Sequence, residues 1–93
     1  MTLNNFTEEA RDFLGKMNSL NESKELKLHW LEEEFQLLKD AVDKDDKGKI
    51  QHQIYDMLFL LFEISADFDL DLDQEWEKGR KRKKEKYLGS SMK

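Results

Sequence analysis

Apolar residues recur along most of this chain at the spacing of an α-helix. Between residues 24 and 43 they repeat at intervals of three and four, which places them on one side of a helix. The residues on that side are Leu28, Leu31, Phe35, Leu38 and Val42. Residues 50–68 are apolar on nearly every side, as expected of a central helix. The flanking segments predict a first helix over residues 6–17 and a fourth over residues 72–87.

Short polar side chains mark where the helices are expected to begin. Asn5, followed by Glu8 three residues later, predicts the N-cap of the first helix. Asn21 or Ser23 precedes the second helix, and Asp71 precedes the fourth. Each of these side chains can accept a hydrogen bond from a backbone N–H in the first helical turn.

The remaining signals also favour helices. The chain contains no proline, and the alternation typical of strands is confined to residues 68–73. We therefore predict one all-α domain of four helices over residues 1–93. Gly89 is expected to end the fourth helix, and residues 89–93 are expected to form a disordered tail.

The composition is polar for a folded domain. Charged residues make up 40% of the chain and hydrophobic residues 38%, against roughly 25% and 45–50% in average globular proteins. Aromatic residues nevertheless account for 11%, which argues against disorder. A domain of 93 residues has a small core, so we expect further copies of the chain to complete it. The expected assembly is a homodimer or a homotetramer.

Several classes of protein are disfavoured by the sequence. The absence of cysteine excludes disulfide scaffolds, thiolate zinc sites and cysteine nucleophiles. The longest apolar run, residues 57–62, is far shorter than the ~18–20 residues that span a bilayer. The first residues lack the basic and apolar regions of a signal peptide. We expect a cytoplasmic protein that binds no membrane.

Charge is divided unevenly between the two ends of the chain. Residues 78–93 contain eight basic residues and one acidic residue, whereas residues 1–77 contain eight basic and 20 acidic residues. The basic run fits a solvated helix face, a stripe that faces phosphates, or a nucleic-acid contact. A pI near 5.0 disfavours nucleic acid, because affinity for its phosphate backbone is largely electrostatic.

A few polar residues interrupt the apolar pattern of the two middle helices. Glu33 with Gln36, and Gln53 with Asp56, form pairs spaced by three residues, so the members of a pair point the same way. Two helices joined by a short turn pack antiparallel, and we expect both pairs to face one pocket. Oxygen ligands of this kind favour Mg²⁺ or Mn²⁺. Asp56 carries the strongest signal, because an acid in an apolar helix requires a partner.

With these residues placed, the sequence resembles the MazG-like all-α nucleotide pyrophosphohydrolases. That family carries Glu-x-x-Glu on one helix and Glu-x-x-Asp on the next, which correspond here to the helix around residues 30–42 and to residues 53–56. The resemblance covers about residues 24–87. It implies a four-helix MazG-like bundle completed by oligomerisation, in which Glu33 and Asp56 are catalytic. The implied reaction converts a nucleoside triphosphate to the monophosphate and pyrophosphate.

The resemblance also implies a metal site, from which this chain departs. The implied ligands are Glu33, Gln36, Gln53 and Asp56. Two of the four are glutamines where the family has carboxylates, which predicts weaker binding of Mg²⁺ or Mn²⁺ and a weakened activity. Asp40 and Glu63 follow on the same helices and are candidates to replace the missing charge.

Residues outside the two motifs complete the implied site. Lys83, Lys86 and Tyr87 are similar to the closing Lys-x-x-Lys-Tyr segment of several relatives, which faces the phosphates. Three aromatic residues are candidates either to stack on a nucleobase or to pack in the core: Trp30, Tyr55 and Phe59.

Alternative interpretations stay open for the same residues. Residues 32–34 are also consistent with a solvated helix face, Asp56 with an ion pair to a lysine, and His29 and His52 with surface or capping positions. For the whole chain, the alternative is a non-catalytic nucleotide-binding or helical interaction module of the same fold. A further option is an adaptor whose basic last helix docks an acidic partner.

Overall fold

The computed structural model describes residues 2–18 and 22–88, which form four α-helices and a terminal π-helical turn. Their bounds are α1 Leu3–Lys16, α2 Lys24–Asp43, α3 Lys47–Asp67, α4 Leu72–Lys83, and the π-helical turn Lys84–Leu88. This part of the chain contains no strand, which confirms the all-α prediction. The predicted stop at Gly89 and the predicted tail lie outside the described residues.

Local side-chain caps fix where the helices begin. Ser23 Oγ accepts a hydrogen bond from the Leu26 N–H at 3.0 Å, and Asp71 caps α4 in the same way, which confirms both predicted caps. The first helix begins three residues earlier than predicted, because Thr2 rather than Asn5 is its N-cap. Thr2 and Asn5 form a reciprocal capping box at this end.

The third helix also begins earlier than predicted, because its N-cap residue precedes the expected start. Asp46 caps it at Lys47, three residues before the predicted start, and accepts a hydrogen bond from the Lys49 N–H at 3.2 Å. The preceding turn is tight because Asp45 adopts a left-handed conformation, with a φ of 55°. As a consequence, α2 and α3 run antiparallel as predicted from the short connection.

The third helix is central: it packs against α2 on one side and α1 on the other. The inward side of α2 consists of Lys27, Leu31, Glu34, Leu38 and Ala41. The prediction that Leu28, Phe35 and Val42 share this side is wrong, because these side chains are exposed. The side of α2 that faces inward is therefore displaced by one residue from the side that the apolar residues predict. Lys27 is accommodated there by an ion pair of 2.7 Å with Asp67 on α3.

The fourth helix is held by its first turn. Asp73 Oδ1 accepts a hydrogen bond from the Leu3 N–H at 2.9 Å, and Asn4 Oδ1 accepts one from the Leu72 N–H at 2.9 Å. The N-termini of α1 and α4 thus cap each other. Beyond this point α4 leaves an open groove of about 1250 Å³ between itself and α3. No helix in the described ranges is both long enough and apolar enough to cross a membrane.

Candidate functional site

An acidic cavity of about 550 Å³ opens between α1, α2 and α3. Its lining is Glu9, Phe13, Trp30, Glu34, Tyr55, Asp56, Phe59, Leu60 and Glu63. Four of these side chains are carboxylic acids and four are aromatic, and the described lining contains no basic residue. The combination of convergent carboxylates and ring faces makes this cavity the candidate functional site.

Glu34 rather than Glu33 is the acid that α2 contributes to the cavity. The Glu33 side chain is 60% exposed, and its Oε1 lies 3.0 Å from His29 Nε2, one helical turn earlier. This differs from the expectation that Glu33 faces the pocket, and the physical reason is the one-residue rotation of α2. Glu34 shares its side of the helix with Lys27 and Ala41, both of which are buried.

Two buried oxygen atoms at the α2–α3 interface have no hydrogen-bond donor among the described residues. These atoms are Glu34 Oε2 and Gln53 Oε1. Gln53 lies one helical turn before Asp56 on α3, as the sequence predicts. Buried acceptors are nearly always satisfied in folded proteins, so one carboxylate oxygen and one amide oxygen are available to accept from a donor or to bind a cation.

The electrostatics at Glu34 are consistent with this. Burial raises the pKa of Glu34 above its usual value, and the neighbouring Asp56 carboxylate raises it further. His52 acts in the opposite direction. Ionised carboxylates at Glu34 and Asp56 therefore repel each other, and a bound cation would offset this repulsion.

Asp56 is held by a histidine rather than by a lysine. His52 Nε2 lies 3.0 Å from Asp56 Oδ2, one turn earlier on α3, and the Asp56 side chain is 33% exposed. The two histidines therefore make equivalent contacts on α2 and α3, because each lies next to the acidic side chain four residues later. Of the two acids, Asp56 lines the cavity and Glu33 does not.

The other predicted metal ligands are spread over the surface and the interior. Gln36 is exposed, and its Nε2 lies 3.5 Å from Asp40 Oδ1 on the solvent side of α2. Neither residue lines the cavity. Glu63 does line it but lies two turns beyond Asp56, a separation of about 10 Å along the helix axis.

The aromatic residues surround the cavity. Trp30, Tyr55 and Phe59 line it, as required of base-stacking candidates, and they are joined by Phe13 of α1. Phe13 and Phe59 meet edge to face with ring centroids 5.6 Å apart. Sequence reasoning missed Phe13 and Glu9, because α1 lies outside the two motif helices and only the fold brings it alongside.

The predicted phosphate-facing residues lie elsewhere. Lys83, Lys86 and Tyr87 line the groove between α3 and α4 and not the acidic cavity. The hydrogen bonds that the structure describes between α4 and α1 lie at the N-cap and first turn of α4, residues 71–73, and the basic residues follow at its other end. In a single copy of the chain, the basic segment and the acidic cavity are therefore distinct surfaces.

Within residues 2–18 and 22–88, no three His, Asp or Glu side chains converge into a complete metal-binding cluster. Glu34 and Asp56 line the cavity, and Gln53 precedes Asp56 by one helical turn on α3. No family model, curated protein or solved structure matches this chain.

Proposed function

We propose that this protein is a MazG-like nucleotide pyrophosphohydrolase whose divalent-cation site is formed by Glu34, Gln53 and Asp56. The observation that carries the proposal is the pair of buried acceptors without donors, Glu34 Oε2 and Gln53 Oε1. A hard divalent cation would satisfy both oxygens and relieve the repulsion between Glu34 and Asp56. The proposed site lies between the same two helices that the resemblance implies, but Glu34 takes the place of Glu33 as the ligand from α2.

The donor set fits Mg²⁺ or Mn²⁺. All three side chains offer oxygen, which both ions prefer. Proteins commonly hold Mg²⁺ through one or two carboxylates and leave the other positions to water and substrate phosphates. Glu34 and Asp56 supply that number of carboxylates, and the uncharged Gln53 makes the site weaker than a site with three carboxylates.

The proposed reaction breaks the bond between the α-phosphorus and its bridging oxygen as water attacks that phosphorus. When bound, the divalent cation supplies charge neutralisation and a more acidic water molecule. Glu34 and Asp56 orient the phosphate end of the substrate, and His52 fixes the Asp56 carboxylate through the 3.0 Å contact. Trp30 and Tyr55 offer ring faces on which a base stacks.

Titration of Mn²⁺ into the pure protein, with a non-hydrolysable triphosphate present, tests the cation site. Pyrophosphate release from a panel of deoxynucleoside triphosphates tests the reaction. Glu34→Gln and Asp56→Asn are expected to lower turnover at least about 100-fold, because each removes a cation ligand. Glu33→Gln is the matched control on the exposed neighbour and should stay within about twofold of wild type.

Two outcomes contradict the proposal. One is the absence of cation binding at millimolar concentrations with the triphosphate present. The other is a loss of turnover in Glu33→Gln that equals the loss in Glu34→Gln, because the cavity geometry then has no bearing on activity.

We further propose that a second copy of the chain covers the groove between α3 and α4. The floor of this groove is apolar and exposed: Leu58 is 45% exposed, Leu61 46% and Trp76 60%. Large apolar surfaces left open in this way usually mark an interaction site. Basic side chains form the rim of the groove, and the acidic body of a second copy is complementary in charge.

A second copy also addresses the absence of basic residues around the acidic cavity. Developing charge on a leaving pyrophosphate requires cations, and α4 with its π-helical turn carries five lysines. In the proposed dimer, Lys83 and Lys86 of one copy reach the cavity of the other.

Analytical ultracentrifugation tests the assembly: Leu61→Glu should give monomers, while Leu37→Glu, outside the groove, should not. A monomeric wild-type protein contradicts this part of the proposal.

A further inference from the structure

A row of apolar side chains on α2 faces away from the other helices. Leu28, Phe35 and Val42 are exposed and follow one another at intervals of seven residues. On an α-helix this spacing drifts by only about 20° per interval, so the three side chains form one row. Rows of this kind are typical of a side along which one helix packs on another. The outward side of α2 is therefore a second packing surface, distinct from the side that contacts α3.

This row and the groove between α3 and α4 lie on the same side of the α2–α3 pair. The acidic cavity marks the opposite side, where Trp30 of α2 and Phe59 of α3 line it. At 3.6 residues per turn, Phe35 is turned about 140° from Trp30, and Leu61 of the groove floor about 160° from Phe59. Because the row and the groove face the same way, two copies can exchange them reciprocally in a two-fold dimer.

The two surfaces also match in length and character. The row spans the 14 residues from Leu28 to Val42, or about 21 Å. The wall that α4 provides is about 18 Å long, and the π-helical turn extends it. An amphipathic helix lying in an apolar groove is a common mode of recognition between proteins, and its anchors repeat at helical spacing.

Lysines without an ion-pair partner lie on the rim of the groove. Arg80 and Arg82 form ion pairs with acids of α4 itself. In contrast, Lys83, Lys84 and Lys86 form no ion pair with any residue that the structure describes. These three lysines lie at the C-terminal end of α4 and in the π-helical turn.

The outer flank of α2, beside the apolar row, carries the opposite charge. Glu25, Glu32 and Asp43 lie on this flank, together with Lys39, and none of the three acids has an ion-pair partner within the described ranges. Two of the acids are in the N-terminal half of α2. Complementary charge on two apolar surfaces fixes how they dock, because the wrong orientation brings like charges together.

We propose that α2 of a second copy occupies the groove, with Leu28, Phe35 and Val42 against its apolar floor. Glu25 and Glu32 then lie beside the lysines at the end of α4, so this α2 runs antiparallel to α4. The inference rests on the proposed function, which has a second copy cover the groove, and it names the helix that does so. The same helix carries Glu34 of the cavity, which brings Lys83 and Lys86 near the site of the second copy.

Two substitutions on α2 test the inference by sedimentation of the full-length protein. Phe35 is 50% exposed and Leu37 is 49% exposed, but only Phe35 belongs to the row. Phe35→Glu should raise the dissociation constant of the dimer at least about 30-fold, because it places a charge against the groove floor. Leu37→Glu, the matched control, should stay within about threefold of wild type. Equal effects of the two substitutions overturn the inference.

Cysteine cross-linking identifies the surfaces that meet, since the chain has no cysteine of its own. Phe35→Cys and Leu61→Cys, carried on chains of different length, should form a mixed disulfide under mild oxidation when they are combined. Leu37→Cys combined with Leu61→Cys should not. A disulfide that joins two Phe35→Cys chains, without the mixed product, would show that α2 packs on α2 and overturns the inference.

If Phe35→Glu does not fold, exchange of surface charges still decides the question. Replacing Glu25 and Glu32 by lysine should weaken the dimer about tenfold, and so should replacing Lys84 and Lys86 by glutamate. The variant with all four substitutions should return to within about threefold of wild type. Failure to recover overturns the proposed orientation of α2.

The outcomes separate this inference from the proposed function. A dimer that Leu61→Glu disrupts and Phe35→Glu does not keeps a second copy in the groove and overturns the role of α2. A monomeric wild-type protein overturns both. The cation site and the reaction are measured by Mn²⁺ titration and pyrophosphate release, and their failure leaves the sedimentation and cross-linking results unchanged.

Discussion

Lys27 and Glu34 both lie on the inward side of α2, but among the described residues only Lys27 has an ion-pair partner. Lys27 pairs with Asp67, so the cost of burying its ammonium group is offset. Glu34 has one oxygen without a donor, and burial raises the pKa of its carboxyl group. Two polar residues at equivalent helical positions therefore have different roles: Lys27 joins two helices, and Glu34 is available to a ligand.

Replacing Gln53 by glutamate should strengthen the cation site. The Gln53→Glu carboxylate adds a negative charge at a position where a buried oxygen already lacks a donor. We expect the affinity for Mn²⁺ to rise about tenfold, measured by calorimetric titration. Gln36→Glu is the control, because Gln36 is exposed on the far side of α2. Equal gains in both variants would mean that the cation binds outside the cavity.

The stability of the protein should depend on pH through Glu63. Its folded-state pKa is raised by burial, so the folded chain holds a proton that the unfolded chain releases. The free energy of unfolding therefore falls as pH rises from the ordinary glutamate pKa through the raised value. Above this window, Glu63→Gln should be more stable than wild type by about 1 kcal/mol, or several degrees in Tm.

Thermal melts between pH 4 and pH 8 measure this effect. The two proteins should converge at the acid end, where Glu63 is protonated in both states. Glu9→Gln serves as the control on an exposed acid of the same cavity. A Glu63→Gln variant that is less stable than wild type at pH 8 would show that the carboxylate is held by a favourable ion pair.

At the scale of elements, the position of α4 depends on a few polar contacts with α1. Asp73 accepts hydrogen bonds from the N–H groups of Leu3 and Asn4, and Asn4 Oδ1 accepts from Leu72. The positive ends of two helix dipoles meet here, and the acids at the start of α4 compensate them. The rest of α4 is free to define one wall of the groove.

Asp73→Asn should loosen α4 without unfolding the α2–α3 pair. The substitution removes a charge from two helix N-termini, and we expect a loss of about 1 kcal/mol of stability. Hydrogen exchange should accelerate in α4 and in the first turn of α1, while the amides of α3 stay protected. Glu77→Gln, an exposed acid on α4, is the control. Equal acceleration in both variants would contradict the assignment of Asp73 as the anchor.

The starts of α2 and α4 were predictable from sequence, and the rotation of α2 was not. Ser23 and Asp71 bond to backbone groups three residues away, so the signal is local. The capping box of α1 closes with Asn5 in place of a glutamate or glutamine, which hid Thr2 as the cap. The inward side of α2 contains Lys27 and Glu34, and their burial depends on residues of α3. The spacing of apolar residues therefore cannot identify a helix side that contains buried charged residues.

For the whole molecule, the separation of charge is the dominant feature. The acidic cavity and the basic rim of the groove lie on different surfaces of one chain. In a single copy α4 does not close over α3, and an open groove lies between the two helices. Sequence composition predicts a partner subunit, and we propose that the groove between α3 and α4 receives it.

Mixing two inactive variants tests whether two copies share a site. Glu34→Gln lacks the cavity acid, and a double variant with Lys83→Ala and Lys86→Ala lacks the basic residues. Each should lose pyrophosphate release when expressed alone. Co-expression should restore about a quarter of wild-type activity, because half of randomly paired dimers are mixed and each of those contains one intact site. No recovery would mean that both groups act within one chain.

The burial of Lys27 gives the protein an internal reporter of its own unfolding. Of the lysines that the structure describes, it alone is fully shielded, with 0% of its side chain accessible. An amine-reactive reagent can therefore label its neighbours freely, but this position only in molecules that have opened. The labelling rate of this single amine, followed by mass spectrometry, measures how often α2 and α3 separate under native conditions.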